Sequence, residues 1–175
     1  GADVINDRGG NDTIYFNADA DNVTIQSALG NNIVNIYSGV ENADVTLGSG
    51  NDTVNIEDGA INAIVDAGDG ENIITVDSSS SNITTGSGKD TITLNSELNI
   101  VNSGDGEDII NLNVGNNTVN TGGGNDTLTL TTSGNTIYTG LGDDIVYVNA
   151  QDNEVYTEDG ADSVFLAVSD DTSLI

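Results

Sequence analysis

Short runs in which apolar and polar residues alternate recur along the whole chain, each opened by a Gly-x-Asp or Gly-x-Asn turn. Thr91-Ile92-Thr93-Leu94 and Thr127-Leu128-Thr129-Leu130 show the pattern clearly. Alternation with period two sends successive side chains to opposite faces of a β-strand, so each run predicts a strand with one apolar face. Aligned by their turns, the apolar positions form files. One is Ile14, Val34, Val54, Ile74, Ile92, Ile110, Leu128, Val146 and Val164, and a second is Phe16, Ile36, Ile56, Val76, Leu94, Leu112, Leu130, Val148 and Leu166. A third runs in the other half of each repeat: Ile5, Ile25, Val45, Val65, Ile83, Val101, Val119, Ile137 and Val155.

The turns are Gly10-Asn11-Asp12, Gly30-Asn31-Asn32, Gly50-Asn51-Asp52, Gly70-Glu71-Asn72, Gly88-Lys89-Asp90, Gly106-Glu107-Asp108, Gly124-Asn125-Asp126, Gly142-Asp143-Asp144 and Gly160-Ala161-Asp162. The first three steps are twenty residues and the rest eighteen. A period this regular predicts a solenoid in which each repeat buries its apolar face against its neighbours. In the eighteen-residue repeats the third file follows the first by nine residues, so a coil is two halves, each with a turn and a strand. Asn99, Asn117, Asn135 and Asn153 fall where the second half would carry its Asp. We expect one all-β unit over residues 1–175, a right-handed parallel β-roll or β-solenoid of about nine coils, roughly 40 Å long at the strand spacing. The repeat is already running at Ile5, and residues such as Val168 follow the last clear turn, so the unit is expected to be a piece of a longer repeat protein.

Charge narrows the function. Asp and Glu outnumber Lys and Arg by 29 to 2, a formal charge of −27. Nucleic acid and anionic membranes would repel such a chain, and no apolar run is long enough to insert in a bilayer. High negative charge with few aromatics ordinarily signals disorder, against which the unbroken aliphatic files argue if a cation neutralises the acids. The chain has no Pro, Cys, Met, Trp or His. Cysteine and histidine nucleophile systems and zinc are thereby disfavoured, the acids recur evenly with none standing apart, and catalysis within the unit is not expected.

At Gly122-Gly123-Gly124-Asn125-Asp126-Thr127-Leu128-Thr129 the chain resembles the RTX family, whose nonapeptide Gly-Gly-x-Gly-x-Asp-x-U-x (U a large aliphatic) builds a calcium-binding parallel β-roll. The resemblance covers one half of nearly every coil and is degenerate in the other. It implies that Ca²⁺ is shared between turns of neighbouring coils, held by an Asp carboxylate from each and by glycine-loop carbonyls. Carried onto this sequence, the carboxylates are Asp12, Asp52, Asp90, Asp108, Asp126, Asp144 and Asp162. The loop glycines are Gly50, Gly70, Gly86, Gly88, Gly104, Gly106, Gly122, Gly124, Gly140 and Gly142. Asn32 and Asn72, neighbours of Asp12 and Asp52, supply a neutral oxygen and should weaken those sites, and Arg8, Ala28 and Glu158 stand where the family has Gly, so the first two sites and the last are expected to be the weakest.

Physical chemistry supports the ion. Carboxylates stacked at the ~4.8 Å strand spacing repel by about 0.8 kcal/mol per pair in water and about 3 kcal/mol at an effective dielectric near 20. Hard Ca²⁺ takes carboxylate and carbonyl oxygens at about 2.3–2.6 Å, while Mg²⁺ demands stricter geometry and keeps its water. For the Asn99 to Asn153 file, side-chain amides bonding along the solenoid axis are expected in place of a second row of metals.

The expected function is structural: a calcium-binding segment of a secreted bacterial RTX-like protein, such as an adhesin, surface-layer or extracellular fibre component. It would fold on Ca²⁺ outside the cell, and the resemblance implies type I secretion. An export and folding module of a secreted hydrolase or toxin is the first alternative. A glycan- or ice-binding face is the second, formed by outward residues such as Thr91 and Thr127. The calcium ions are the expected partners, with lateral or end-to-end self-association open to a flat two-sided strand.

Overall fold

The computed structural model describes residues 3–18 and 20–167, so Val168 lies outside the described residues. Two nine-stranded parallel sheets face one another. The first collects the strands of the third file, from Val4–Asp7 and Thr24–Ser27 through to Glu154–Tyr156. The second collects the strands after the Gly-x-Asp turns, from Thr13–Phe16 through to Ser163–Leu166. The chain passes from one sheet to the other at every turn, and each strand pairs with its counterpart one coil away, which builds a β-solenoid of about nine turns.

The register equals the sequence period. Ile92 pairs with Ile110 and Leu94 with Leu112, eighteen residues on, while Val34 pairs with Val54, twenty on. All three files therefore point into the space between the sheets, and from Ile25 to Val146 they are buried. In the end coils the same files lose cover: Ile5, Val164 and Leu166 are exposed. Truncating an inner member such as Ile110 to Ala should cost about 2–5 kcal/mol, because neighbouring coils cannot collapse onto the void.

The two extra residues of the longer coils fall in the turn that follows the four-residue strand. There the chain tucks in Val40, Ala43, Ala60 and Ala63, all buried, with Asn22, Asn42 and Asn62 at positive φ. The eighteen-residue coils turn more tightly and bury Ser81, Asn99, Asn117 and Asn135 instead. The second turn thus changes from apolar to polar along the molecule.

Candidate metal centre

The turn acids lie two residues ahead of the first inward position, so they share its parity and point inward. Asp52, Asp90, Asp108, Asp126 and Asp144 are accordingly buried, as are Asn32 and Asn72 in the same row. One carboxylate oxygen of each extends the ladder between coils. The amides of Asp90, Asp108 and Asp126 donate to Oδ1 of Asp108, Asp126 and Asp144 at 2.8, 2.9 and 2.8 Å. The second oxygen has nothing. Among the described residues, Oδ2 of Asp12, Asp52, Asp90, Asp108, Asp126 and Asp144 is buried with no hydrogen-bond partner. A buried unpaired carboxylate oxygen is costly, and the group responds by holding its proton. Burial pushes the carboxyls of Asp52, Asp90, Asp108 and Asp144 up, and that of Asp126 up to about 6.

The Asn members reveal what surrounds that second atom. Asn72 Nδ2 donates to the Gly68 and Gly70 carbonyls at 3.0 and 3.3 Å, and Asn32 Nδ2 donates to the Gly30 carbonyl at 3.0 Å. The second side-chain atom thus faces loop carbonyls two and four residues earlier. In the Asp coils the equivalent atom is a carboxylate oxygen, which when ionised has no proton to offer those carbonyls. Among the described residues, the carbonyls of Gly88, Gly106, Gly124 and Gly142 accept no backbone amide. Those of Gly86, Gly104, Gly122 and Gly140 each accept one from the next coil at 2.8 to 3.0 Å and keep a lone pair. Carbonyl and carboxylate oxygens without protons are the donor set hard cations take, so these residues fit Ca²⁺. No group of three or more His, Cys, Asp or Glu side chains is placed to hold a metal among the described residues, so backbone carbonyls are essential to any site here.

The glycines make this crowding feasible. Gly50, Gly70, Gly88, Gly106, Gly124 and Gly142 sit at φ between 126° and 155°, and at Gly124 a Cβ would overlap the Gly106 carbonyl oxygen. Gly104, Gly122 and Gly140 lie at φ 83–92°. Gly86 is different: it is not at positive φ, and close approach to the Gly68 backbone and Asp69 is what excludes a side chain. Glu158 adopts φ 48° in the place of a loop glycine, so the last turn keeps its shape despite the substitution.

The terminal members of the row differ. Asp12 is only partly covered, and the Asp7 carboxyl beside it pushes it up. Asp162 is partly covered too, with Oδ1 accepting the Asp144 amide at 3.0 Å.

Two rows escaped the sequence reading. Five residues before the acids stand Thr85, Ser103, Thr121 and Thr139, all buried. Their hydroxyls donate to the carbonyls of Ser103, Thr121, Thr139 and Thr157 at 2.6, 3.1, 2.7 and 3.1 Å. Lying beside the acids, they partly offset the upward push on Asp90, Asp108, Asp126 and Asp144. A strict Ser/Thr recurrence at that offset is the signal that could have found them. The other row is exposed. Asn31 N bonds Asn11 Oδ1 at 2.8 Å, Asn51 N bonds Asn31 Oδ1 at 2.9 Å, and Asp143 N bonds Asn125 Oδ1 at 2.8 Å. These bonds run toward the preceding coil, opposite in sense to the buried row.

The opposite edge uses the same ladder with amides. Asn99, Asn117 and Asn135 donate their backbone N–H to Oδ1 of Asn117, Asn135 and Asn153 at 2.9, 3.0 and 2.9 Å. These bonds along the axis go from backbone to side chain, and within this row, among the described residues, there is one amide-to-amide contact, Asn135 Nδ2 to Asn153 Oδ1 at 3.1 Å. Beside the row Asn113 Nδ2 donates to Asn95 Oδ1 at 2.8 Å, and in the longer coils Asn42 and Asn62 Nδ2 donate to Asn22 and Asn42 Oδ1 at 3.3 Å. Each Nδ2 donates within its own turn, as from Asn117 to the Val114 and Gly115 carbonyls at 2.9 and 3.2 Å.

Comparison with curated proteins and with solved structures gave no match. The family model of the RTX calcium-binding nonapeptide repeat matches four times, over residues 1–23, 66–97, 95–128 and 131–172. With most of its length matched by calcium-binding repeats, and with proton-free oxygens lining the turn that the motif builds, the chain belongs to the RTX calcium-binding repeat family.

Proposed function

We propose that this chain is a structural β-roll segment of a secreted RTX protein, an adhesin, surface-layer or extracellular fibre component, that completes its folding when Ca²⁺ fills the Asp edge. The row of buried, unpartnered Oδ2 atoms from Asp52 to Asp144 carries this reading. The calcium ligands in it are Asp52, Asp90, Asp108, Asp126 and Asp144, with Asp12 and Asp162 as more open terminal members and the loop glycine carbonyls completing each shell. Proteins with these repeats are typically secreted, which agrees with a chain that has no cysteine and draws its cross-links from an ion plentiful outside cells. The role is support and display: among the described residues, the buried acids all stand in the Asp row of the turn.

Ion binding to the native state alone is folding free energy. Far-UV circular dichroism during a calcium titration from EGTA, with magnesium in parallel, tests the proposal. A cooperative gain of β signal with calcium and little with magnesium is expected. A β signal already complete in EGTA and indifferent to calcium would overturn it.

A further inference from the structure

Not every coil needs the ion. The buried row reads Asp12, Asn32, Asp52, Asn72, then Asp90, Asp108, Asp126, Asp144 and Asp162 without a break. Both amides are buried, and both keep the backbone ladder: Asn32 Oδ1 accepts the Asp12 amide at 3.2 Å and Asn72 Oδ1 accepts the Asp52 amide at 3.0 Å. Neither therefore offers its oxygen to a metal in the first instance. What each presents to the loop carbonyls is the NH₂ group, the only positively polarised group the side chain has, with bonds of 3.0 and 3.3 Å for Asn72. Oδ2 of Asp90 and Asp108, at the equivalent atom, makes no bond at all.

We propose that Asn32 and Asn72 are built-in substitutes for calcium, their Nδ2 groups occupying the cation position of their own turns and leaving those turns complete without metal. The inference rests on the calcium reading above and goes further by assigning which turns exclude the ion. A donor NH₂ in that position supplies protons to the carbonyls and blocks a cation by both sterics and charge, so the expected effect is loss of the site, beyond a weakened ligand.

The substitution also coincides with other changes in the same stretch. The hydroxyl row that accompanies the acids from Thr85 onward gives way to buried Leu47 in the Asp52 turn and buried Ala67 in the Asn72 turn, while the Asn32 turn keeps Ser27, whose hydroxyl donates to Asp7 Oδ2 at 2.9 Å. The second turns of these coils bury Val40, Ala43, Ala60 and Ala63. Apart from Asp52 and Ser27, the buried positions of both turns from about Val23 to Val76 are apolar or self-bonded, and the stretch holds together as a metal-sparing block. From Asp90 to Asp162 every turn of the first edge carries a carboxylate, and that block depends on the ion. Lys89, one of the two basic residues of the chain, stands in the first turn of the dependent block.

The test measures calcium bound per chain by equilibrium dialysis against calcium chloride, and β signal in EGTA, for the full chain and two near-isosteric variants. Asn72→Asp is expected to bind one more ion than the parent and to lose β signal in EGTA. Asp108→Asn is expected to bind one ion fewer and to retain more β signal in EGTA. Unchanged ion counts in both variants would overturn the inference while the parent still bound calcium. A parent that bound none would instead sink the calcium reading, and the EGTA comparison would still show whether an amide relieves the turn. Should Asn72→Asp fail to fold at any calcium level, Asp108→Asn decides: an unchanged count and unchanged EGTA signal would overturn the inference.

Discussion

The two edges of this solenoid are built on one plan and differ by a single group. At both, an inward Asx side chain accepts the backbone amide of the preceding coil, at 2.8–2.9 Å between Asp90 and Asp144 and at 2.9–3.0 Å between Asn99 and Asn153. At the Asn edge the remaining atom is a nitrogen that donates to carbonyls of its own turn, and the edge is closed by its own bonds. At the Asp edge the remaining atom is an oxygen with no partner. Geometry alone is thus no sign of a metal site. The proton inventory is, because identical scaffolds either supply their carbonyls with donors or leave them waiting for a cation.

The largest separation between the edges is expected in hydrogen exchange after calcium removal. In EGTA the amides of Asp108, Asp126 and Asp144 should exchange at least tenfold faster than in calcium, with a smaller change for Asn99, Asn117 and Asn135. Equal loss at both edges would break the comparison. Next in size is Asn117→Asp, which removes the donor to the Val114 and Gly115 carbonyls and buries a charge. It should lower calcium-free stability by about 2–3 kcal/mol in urea denaturation, a penalty the matching Asp126→Asn change should not impose.

A third effect follows from acid. In the calcium-free fold the Asp126 carboxyl is pushed up to about 6 from 3.8, chiefly by burial. A raised carboxyl pKa favours the protonated fold, so this contribution is fully present below about pH 4 and is lost as pH rises through about 6. The thermal midpoint in EGTA should accordingly be higher near pH 5.5 than near pH 7.5, reversing in saturating calcium, where protons compete with the ion. A flat profile in EGTA would mean that the buried carboxyls are already satisfied. Smallest is Ser103→Ala, which deletes one hydroxyl bond at 3.1 Å to the Thr121 carbonyl. A loss of about 1 kcal/mol is expected, together with a further upward push on Asp108, which the nearby hydroxyl partly offsets.

Much of this was legible before any coordinates. The period and the three aliphatic files anticipate the parallel register residue by residue, since Ile92 does pair with Ile110 and Val101 with Val119. The files also predict outward exposure at Ile33 and Ile73, which are 43% and 53% exposed. What the sequence conceals is the role of individual atoms. Asp and Asn differ by one heavy atom, and Asn72 reads as a weaker oxygen ligand until its nitrogen is seen bonded to Gly68 and Gly70. Gly86 and Gly88 look equivalent in the motif, yet only Gly88 takes a positive φ while Gly86 answers to close approach. The coupling of Ser103 to Thr121 is likewise invisible, because it depends on which carbonyl a hydroxyl can reach eighteen residues away.

The opposed sense of the two rows at the Asp turn has a mechanical meaning. On the buried side coil n donates to coil n+1, as Asp126 does to Asp144, and on the exposed side coil n+1 donates back, as Asp143 does to Asn125. Rocking one coil outward about its strand stretches one row while compressing the other, so neither direction of bending is soft. The exposed row runs from Asn11 to Glu71 and again from Asn125 to Ala161, so those stretches of the edge should be braced like a rod, and bending should concentrate between them, around Lys89 and Glu107.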